Sequence, residues 1–396
     1  MKIIGIGAAG NKACQALVYH STVKNIENCL LMNSTEKDFP KEASKNCVLI
    51  ENIGGCGKER EVGQEIMRSY LENPQAREHL DEFLGDDTHL VLVGSMGGGT
   101  GSGGLNMLAK YARNVLGMDV TLIAFKGFID DIREMKNTLD FLKEVPNNIA
   151  VQIIDNSAFL KQSQNNKVEA EYLANFEFSQ RISFMLANRL IASEQNIDSN
   201  DLYKIITTPG YQMIEKTVFK DIKNKDQMNE IIKNMIDNST SLPTEPGCLC
   251  MGVILNVQPK TLNSFDFDYN VINKAYSGEI TPEKFPHIQY CENSGDDTEW
   301  LALIVSGLKL PIKELQKLHT EFARASQKLE SSNKDPFFDV VQKLDTNKMG
   351  NSKRFGHGVR RARNKVSSIE DIDSFLNEIR TGESKPSNGT FTKNNF

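Results

Sequence analysis

A glycine-rich segment in the first third of the chain reads Val91-Leu-Val-Gly-Ser-Met-Gly-Gly-Gly-Thr-Gly-Ser-Gly-Gly104. An apolar run that predicts a strand precedes the glycines, and a helical pattern at Leu105–Val115 follows them. Glycine is entropically unfavourable in a simple connector, but it lets successive backbone N–H groups approach an anion. The N-terminus of the following helix adds a positive dipole. The segment therefore predicts a phosphate-binding loop, and the structure predicted on both sides disfavours the alternative of a flexible linker.

The loop lacks the Gly-Lys-Ser/Thr ending of a P-loop, so no lysine follows its glycines. Thr100 and Ser102 offer hydroxyls instead. The charge of a bound phosphate then has to be neutralised from elsewhere, and Mg²⁺ is the expected counter-ion.

A second glycine motif, Gly5-Ile-Gly-Ala-Ala-Gly10, lies between a predicted strand at Lys2–Ile6 and a helical pattern at Asn11–Tyr19. It matches the dinucleotide-binding pattern Gly-x-Gly-x-x-Gly. A Rossmann oxidoreductase would place an acid after its second strand, whereas Leu30-Leu-Met32 leads into Asn33. An NAD-dependent enzyme is therefore disfavoured, and a tight turn without a ligand stays open.

Further strand patterns alternate with helical ones, which predicts an α/β fold with a mainly parallel sheet whose ligand sites lie at the carboxyl ends of the strands. These strands are Cys29–Met32, Cys47–Ile50, Leu90–Gly94, Val120–Phe125 and Ala150–Ile154. A long helical pattern covers Glu169–Ala192, and apolar runs at Cys248–Val257, His287–Tyr290 and Leu301–Ser306 predict a second, smaller α/β domain. The predicted division is a nucleotide-binding domain at 1–170, a central helix at 171–195, a second domain at 196–310, a C-terminal helix at 311–330 and a flexible tail at 331–396.

The 396 residues include 46 Lys+Arg and 52 Asp+Glu, for a net charge of −6. Six of the basic residues lie between Lys353 and Lys365 without an acid, so the rest of the chain carries −12. The net charge argues against a body coated with basic nucleic-acid-binding surface. The seven cysteines form no Cys-x-x-Cys pair, which indicates reduced thiols rather than a metal site. We expect a cytoplasmic protein without membrane insertion, since no apolar run approaches the ~20 residues of a membrane span.

The segment Gly97–Gly103 resembles the signature loop of the tubulin/FtsZ family of GTP-binding filament proteins, and the resemblance extends over about residues 1–310. It implies a tubulin/FtsZ fold, a Rossmann-like GTPase domain, GTP or GDP as ligand, and Mg²⁺. The positions that match the family's nucleotide loops are Gly7, Ala8, Ala9, Gly10 and Asn11 in the first loop, Asn33 in the second, Gly57 and Lys58 in the third, Gly97, Gly98, Gly99, Thr100, Gly101 and Ser102 in the signature loop, Asp131 in the fifth, and Asn156 and Asn175 at the guanine.

Some loops depart from the FtsZ pattern. The first loop is shorter, and the fifth lacks the Pro-Phe and Glu-Gly of FtsZ, so only its position implies a ribose role for Asp131. The third loop, Gly54–Gly63, is similar to that of the plasmid and phage relatives called TubZ. Lys58 either supplies the cation that the signature loop lacks or is a solvated lysine. Phe176 either stacks on the purine or belongs to the core.

The segment Ser193–Asp201 resembles the family's Asn-x-Asp-x-x-Asp loop, which implies catalytic roles for Asn196, Asp198 and Asp201. In the family this loop completes the site of the next subunit in the filament. Two carboxylates there would orient and deprotonate the attacking water. Taken alone, the same residues would be an ordinary helix cap. The stretch Lys204–Met213 resembles the first strand after this loop.

The resemblance implies a GTPase that forms a head-to-tail homopolymer, and plasmid or phage DNA segregation is favoured over FtsZ-type cell division. A nucleotide-binding filament that does not depend on hydrolysis is the alternative. Basic residues near the C-terminus would engage a DNA-bound adaptor or phosphate, or form a solvated run. They are Lys353, Arg354, Arg360, Arg361, Arg363 and Lys365.

Overall fold

The strands that the structure describes form one sheet. A computed structural model describes residues 1–20, 28–39, 46–128, 130–186, 199–220, 222, 224–242, 244–258, 268–278, 281–290 and 299–332. Its strands are β1 (Lys2–Ile6), β2 (Cys29–Asn33), β3 (Cys47–Leu49), β4 (His89–Ser95), β5 (Asp119–Lys126), β6 (Ala150–Asp155), β7 (Gly210–Phe219), β8 (Cys250–Val257), β9 (Glu283–Tyr290) and β10 (Glu299–Leu308). Within the described residues the strand order is β3-β2-β1-β4-β5-β6-β7-β10-β8-β9.

Helices connect most of these strands. The first eight are α1 (Gly7–His20), α2 (Arg60–Glu72), α3 (Pro74–Leu84), α4 (Thr100–Asn114), α5 (Ile132–Glu144), α6 (Lys167–Leu186), α7 (Ser199–Thr207) and α8 (Lys225–Asp237), and two further helices span Tyr269–Tyr276 and Ile312–Ser332. Met1–Leu318 is one compact unit and His319–Phe396 is a second, of which the structure describes residues 319–332. The five-part division expected from the sequence stays a prediction.

The sheet is parallel from β3 through β7. The ladder between β6 and β7 is short and joins Ala150–Gln152 to Gly210–Gln212. Beyond it, β7, β10 and β8 are antiparallel, and β9 is parallel to β8. The predicted mainly parallel α/β fold is confirmed, and the parallel strands place all their carboxyl ends at one edge.

Two helices begin earlier than the sequence predicts. Helix α1 begins at Gly7 rather than Asn11, and α4 begins at Thr100 rather than Leu105. Tertiary packing outweighs the low helix propensity of glycine here, because a Cβ atom at Gly103 would lie 2.5 Å from the carbonyl oxygen of Arg60 in α2. The second half of the predicted glycine loop is therefore the first turn of a helix.

The expectation of a strand from Lys204 is wrong for its first part. Residues 204–207 belong to α7, and β7 begins at Gly210. Leu202, Ile205 and Ile206 recur at helical spacing and are buried in the core, so helix formation covers the sheet with apolar side chains.

One apolar core lies on the sheet face that also carries α7. It joins strand residues such as Val93 and Ile123 to Leu17 of α1, Phe178 of α6 and Ile205 of α7. The cysteines that the structure describes carry free thiols. In the part of the chain that the structure describes, no helix is both long and apolar enough to span a membrane.

Candidate functional site

A cavity of about 650 Å³ opens at the carboxyl ends of the parallel strands. It collects most of the residues that the sequence assigns to nucleotide binding, although these come from seven separate segments of the chain. Those that line it are Gly7, Ala8, Ala9, Asn33, Gly57, Lys58, Gly98, Gly99, Thr100, Gly101, Asp131, Asn156 and Asn175.

Four of the assigned residues lie behind the cavity surface. Gly10 lets α1 approach β4, because a Cβ atom there would overlap the carbonyl oxygen of Val93. Asn11 is fully buried, and its amide atoms have no hydrogen-bond partner within the described part of the chain. The hydroxyl of Ser102 donates to the Gly98 carbonyl oxygen, and Gly97 accepts a bond from α5. The contacts of Gly10, Gly97 and Ser102 shape the loops, and none of the four residues lines the cavity.

Asn137 in α5 holds two of the cavity loops together. Its Nδ2 atom lies 2.9 Å from the carbonyl oxygen of Lys58 and 2.9 Å from that of Gly97. One amide group therefore joins the third loop to the signature loop, and Asn137 is 3% exposed. The sequence contained no signal for this role, because an asparagine inside a helical pattern gives no indication of its long-range partners.

The loops are in close backbone contact. A Cβ atom at Gly63 would overlap the carbonyl oxygen of Gly99, and one at Gly99 would lie 2.6 Å from the Cβ atom of Cys56. Beneath the loops, the hydroxyl of Thr100 is 2.7 Å from that of Ser34 and donates to the Cys56 thiol at 3.2 Å. The glycines thus allow two loops and a helix N-terminus to converge on the same space.

The cavity side chains carry more negative than positive charge. Its lysines are Lys12, Lys58 and Lys167, and its acids are Asp38, Asp130, Asp131, Glu134 and Glu171. Each lysine is paired with acid from the same lining. A bound anion must therefore rely on backbone N–H groups, helix N-termini and an added cation.

Lys58 pairs with two acids of the lining. Its Nζ atom lies 2.8 Å from Asp131 and 2.6 Å from Glu134, at the start of α5. The hydrogen bond to Asp131 raises the pKa of Lys58, and the same bond lowers the pKa of Asp131. The backbone of Lys58 has φ of 63°, a left-handed conformation that its two ion pairs and Asn137 maintain.

Metal ligands are sparse around the cavity. Among the described residues, no group of three or more His, Cys, Asp or Glu side chains is arranged to hold a metal ion. Mg²⁺ commonly keeps several waters and binds through one or two carboxylates together with substrate phosphates. The acids of the cavity fit that mode of binding, and the Mg²⁺ assignment stays a prediction.

Two side-chain amides, those of Asn156 and Asn175, also line the cavity. Asn156 follows β6 and is 7% exposed, and its Oδ1 atom has no hydrogen-bond partner within the described residues. Buried amide oxygens normally accept a hydrogen bond, so this atom suits an N–H group of a ligand. Asn175 of α6 also lines the cavity, whereas Phe176 does not and is 38% exposed.

Helix α7 carries Asp201 in its first turn and lies at the amino ends of the parallel strands, whereas the cavity lies at their carboxyl ends. The hydroxyl of Tyr203 donates to Asp119 at the start of β5, at 2.6 Å, whereas the cavity includes Phe125 near the end of that strand. At ~3.3 Å per residue, the six steps between them span roughly 20 Å. Asp201 is therefore remote from the cavity of its own chain. Asn196 and Asp198 lie outside the described residues, as do Lys353, Arg354, Arg360, Arg361, Arg363 and Lys365.

A glycine-lined cavity at the carboxyl edge of a parallel sheet is the arrangement in which α/β proteins commonly bind nucleotides. Residues 1–164 match the family model described as "Tubulin/FtsZ family, GTPase domain". This match confirms the resemblance of the signature loop to that family.

Relatives support the same fold over more of the chain. The chain is 25% identical to the tubulin-like protein CetZ3 of Haloferax volcanii over 248 residues, which are 54% of this chain and 60% of CetZ3. The match thus spans less than two thirds of that relative. One similar solved structure is a GTPyS-form protofilament of Bacillus thuringiensis serovar israelensis TubZ, with a TM-score of 0.67 and 18% identity, covering 87% of this chain and 94% of that chain. Another is a GTPgS-bound protofilament of Haloferax volcanii CetZ2, with a TM-score of 0.63 and 19% identity, covering 84% of this chain and 100% of that chain. The tubulin/FtsZ fold expected from the sequence is confirmed.

Proposed function

We propose that this protein hydrolyses GTP and polymerises head to tail, with each active site completed by the neighbouring subunit. The observation that carries the proposal is the separation between the cavity and α7. Asp201 lies at the amino ends of the strands and the cavity at their carboxyl ends, so only a second subunit brings the two together. The TubZ and CetZ2 structures similar to this chain are protofilaments by their own descriptions.

In this proposal the residues of the cavity bind and orient GTP. Backbone N–H groups of Gly98–Gly101 and the N-terminus of α4 hold the phosphates. Asn156 and Asn175 face the guanine, and Lys58 approaches the terminal phosphate. Bound Mg²⁺ would supply the positive charge that the cavity side chains lack. From the next subunit, Asn196, Asp198 and Asp201 position the attacking water and accept its proton.

The dependence of turnover on protein concentration tests the shared site. GTP hydrolysis per subunit should rise steeply with concentration as filaments form and then level off. Phosphate release measured over a wide concentration range, with light scattering on the same samples, provides the comparison. A rate per subunit that stays constant across the assembly threshold would show that each subunit hydrolyses GTP alone.

The ion pair between Lys58 and Glu134 leads to a prediction about the affinity for GTP. Replacing Glu134 with glutamine removes one of the two carboxylate partners of Lys58 and one negative charge from the cavity. We expect GTP to bind about 2- to 5-fold more tightly, the range that partly exposed ion pairs of ~0.2–1 kcal/mol allow. Titration with a fluorescent GTP analogue measures this change.

Glu61→Gln is the matched control, because Glu61 pairs with Lys136 at 3.2 Å and does not line the cavity. Both variants alter the net charge equally. Equal affinities in the two variants would mean that the pairing of Lys58 with Glu134 has no influence on phosphate binding.

For the biological role, we favour segregation or positioning of plasmid or phage DNA in the cytoplasm over cell division. The support is the similarity of the third loop to TubZ and the basic residues Lys353, Arg354, Arg360, Arg361, Arg363 and Lys365, which suit an acidic adaptor surface or phosphate. A plasmid-retention assay comparing the whole chain with a variant carrying alanine at these six positions tests the role. Equal retention would contradict it.

A further inference from the structure

Helix α7 is attached to the sheet by directional polar contacts as well as by its apolar face. We propose that Tyr203 is a positioning residue: it anchors α7 to β5 and thereby sets where Asp201 meets the cavity of the next subunit. This inference rests on the proposed function, because it concerns the efficiency of a site shared between subunits.

The acceptor of the Tyr203 hydroxyl is itself held in place. Tyr203 donates to Oδ2 of Asp119 at 2.6 Å, and Oδ1 of Asp119 accepts a bond from Nη1 of Arg113 at 2.5 Å. The same Arg113 nitrogen donates to the carbonyl oxygen of Met118 at 3.1 Å. Hydrogen bonds to an ionised carboxylate are short and roughly twice as strong as neutral ones. Tyr203 thus contacts a rigid part of the sheet rather than a mobile side chain.

The ring of Tyr203 has a second partner. It packs edge to face on His89, with ring centroids 5.6 Å apart and an interplanar angle of 83°. His89 is 3% exposed and lies 2.9 Å from the hydroxyl of Thr121. Burial lowers the pKa of His89 to about 4, so the imidazole is uncharged near neutral pH and offers an aromatic surface.

The C-terminal end of α7 is fastened to the same region. Thr121 donates to the carbonyl oxygen of Ile206 at 3.0 Å, and Nε2 of Gln212 donates to the same oxygen at 2.9 Å. These bonds satisfy a carbonyl at a helix end that otherwise has no intrahelical donor. The C-terminal end is therefore held by bonds that do not involve Tyr203.

The apolar residues of α7 hold it against the sheet without fixing its register. Burial of Leu202, Ile205 and Ile206 is non-directional and tolerates small slides and rotations. The Tyr203–Asp119 bond is directional and lies in the middle of α7, two residues from Asp201 and N-terminal to Ile206, which the Thr121 and Gln212 bonds hold. Lys204 also pairs with Glu283, but both side chains are more than half exposed, so solvent weakens this pair. Without the Tyr203–Asp119 bond, α7 stays folded but its first turn gains freedom. An offset of ~1 Å in a catalytic group can reduce a rate by ~10²-fold.

Tyr203→Phe tests the proposal, because it removes only the hydroxyl. We expect the maximal GTP turnover rate to fall about tenfold, within the range set by misplaced catalytic groups, while the GTP dissociation constant and the critical concentration for assembly stay unchanged. Asp119→Asn, which weakens the acceptor, should show the same pattern. Tyr70→Phe is the matched control, because the buried Tyr70 hydroxyl of α2 has no partner within the described residues.

A double-mutant cycle with Asp201→Ala separates positioning from a general loss of structure. If Tyr203 acts through Asp201, Tyr203→Phe should have no further effect in the Asp201→Ala background. A tenfold loss in both backgrounds, normal turnover in Tyr203→Phe alone, or a parallel loss of GTP binding would each overturn the inference. Normal turnover in Asp201→Ala alone would instead contradict the proposed catalytic role of α7, so the two failures are distinguishable.

Discussion

Replacement of Asp201 with alanine is expected to lower GTP turnover at least about a hundredfold, the lower end of what a positioned general base contributes. Asp201 lies in the first turn of α7, far from the cavity of its own subunit. GTP binding and filament formation should therefore be retained. Phosphate release, nucleotide affinity and electron microscopy of filaments, all measured on one preparation, check the three parts of this result.

Asp226→Ala is the matched control for this variant. Asp226 is an exposed acid in the first turn of α8, so its removal disturbs a helix N-terminus in the same way. Such a charge at a helix end contributes about 0.3–1 kcal/mol to stability. The control should keep wild-type turnover. Loss of activity in both variants to the same degree would attribute the effect of Asp201 to helix stability rather than to chemistry.

The second large effect is expected from Gly63→Ala. A Cβ atom at this position would overlap the carbonyl oxygen of Gly99 and lie 3.2 Å from the Cα atom of Thr100. Both neighbours are backbone atoms, so the signature loop has to move away from α2. Overpacking of this kind costs about 1–3 kcal/mol. We expect GTP affinity to fall by about 5- to 150-fold at ~1.4 kcal/mol per factor of ten.

Gly104→Ala is the control for Gly63→Ala. A Cβ atom at Gly104 would come within 2.9 Å of the Cε atom of Met67, the end of a flexible side chain that can move aside, and within 3.2 Å of the Cγ2 atom of Ile6. Its close neighbours are thus side-chain atoms, whereas those of Gly63 are backbone atoms. Alanine is also a better helix former than glycine inside α4. Equilibrium binding of GTP, with thermal unfolding to confirm that both variants are folded, distinguishes them. Wild-type affinity in a folded Gly63→Ala variant would show that the contact between these loops does not set the phosphate site.

A mixture of Asp201→Ala and Gly63→Ala subunits also tests whether the active site is shared. Asp201→Ala subunits have an intact cavity, and Gly63→Ala subunits have an intact α7. If the site is shared, a mixture of the two should hydrolyse GTP faster than either variant alone, because some interfaces pair the two intact halves. A mixture no faster than its components would indicate that cavity and α7 act within one subunit.

Local sequence patterns were sufficient to predict individual strands and the glycine loops that line the cavity. The apolar run before Gly94 and the glycines of Gly97–Gly103 predicted a strand followed by an anion-binding loop, and Gly98–Gly101 line the cavity. Strand alternation and glycine content are local properties, which explains why β1, β4, β5 and β6 were predicted to within a residue or two. Parallel pairing then places their carboxyl ends together.

Local patterns did not predict where the helices begin within the glycine segments. Glycine disfavours helices in isolation, so Leu105 was the expected start of α4. The actual start at Thr100 depends on contact between Gly103 and the backbone of α2, which begins 43 residues earlier in the chain at Arg60. The same reasoning applies to residues 204–207, whose helix is stabilised by burial of Ile205 and Ile206 against the sheet.

The sequence by itself determined where most of the strands begin and end and which glycine loops line the cavity, because glycine loops and strand patterns act over a few neighbouring residues. Only the tertiary structure decided how those residues are used. Lys58 pairs with Asp131, 73 residues away, and Asn137 joins two loops that are distant in sequence. The strands also separate α7 from the cavity by their full length. Charges and distances of this kind depend on which segments the fold brings together, and no local pattern records them.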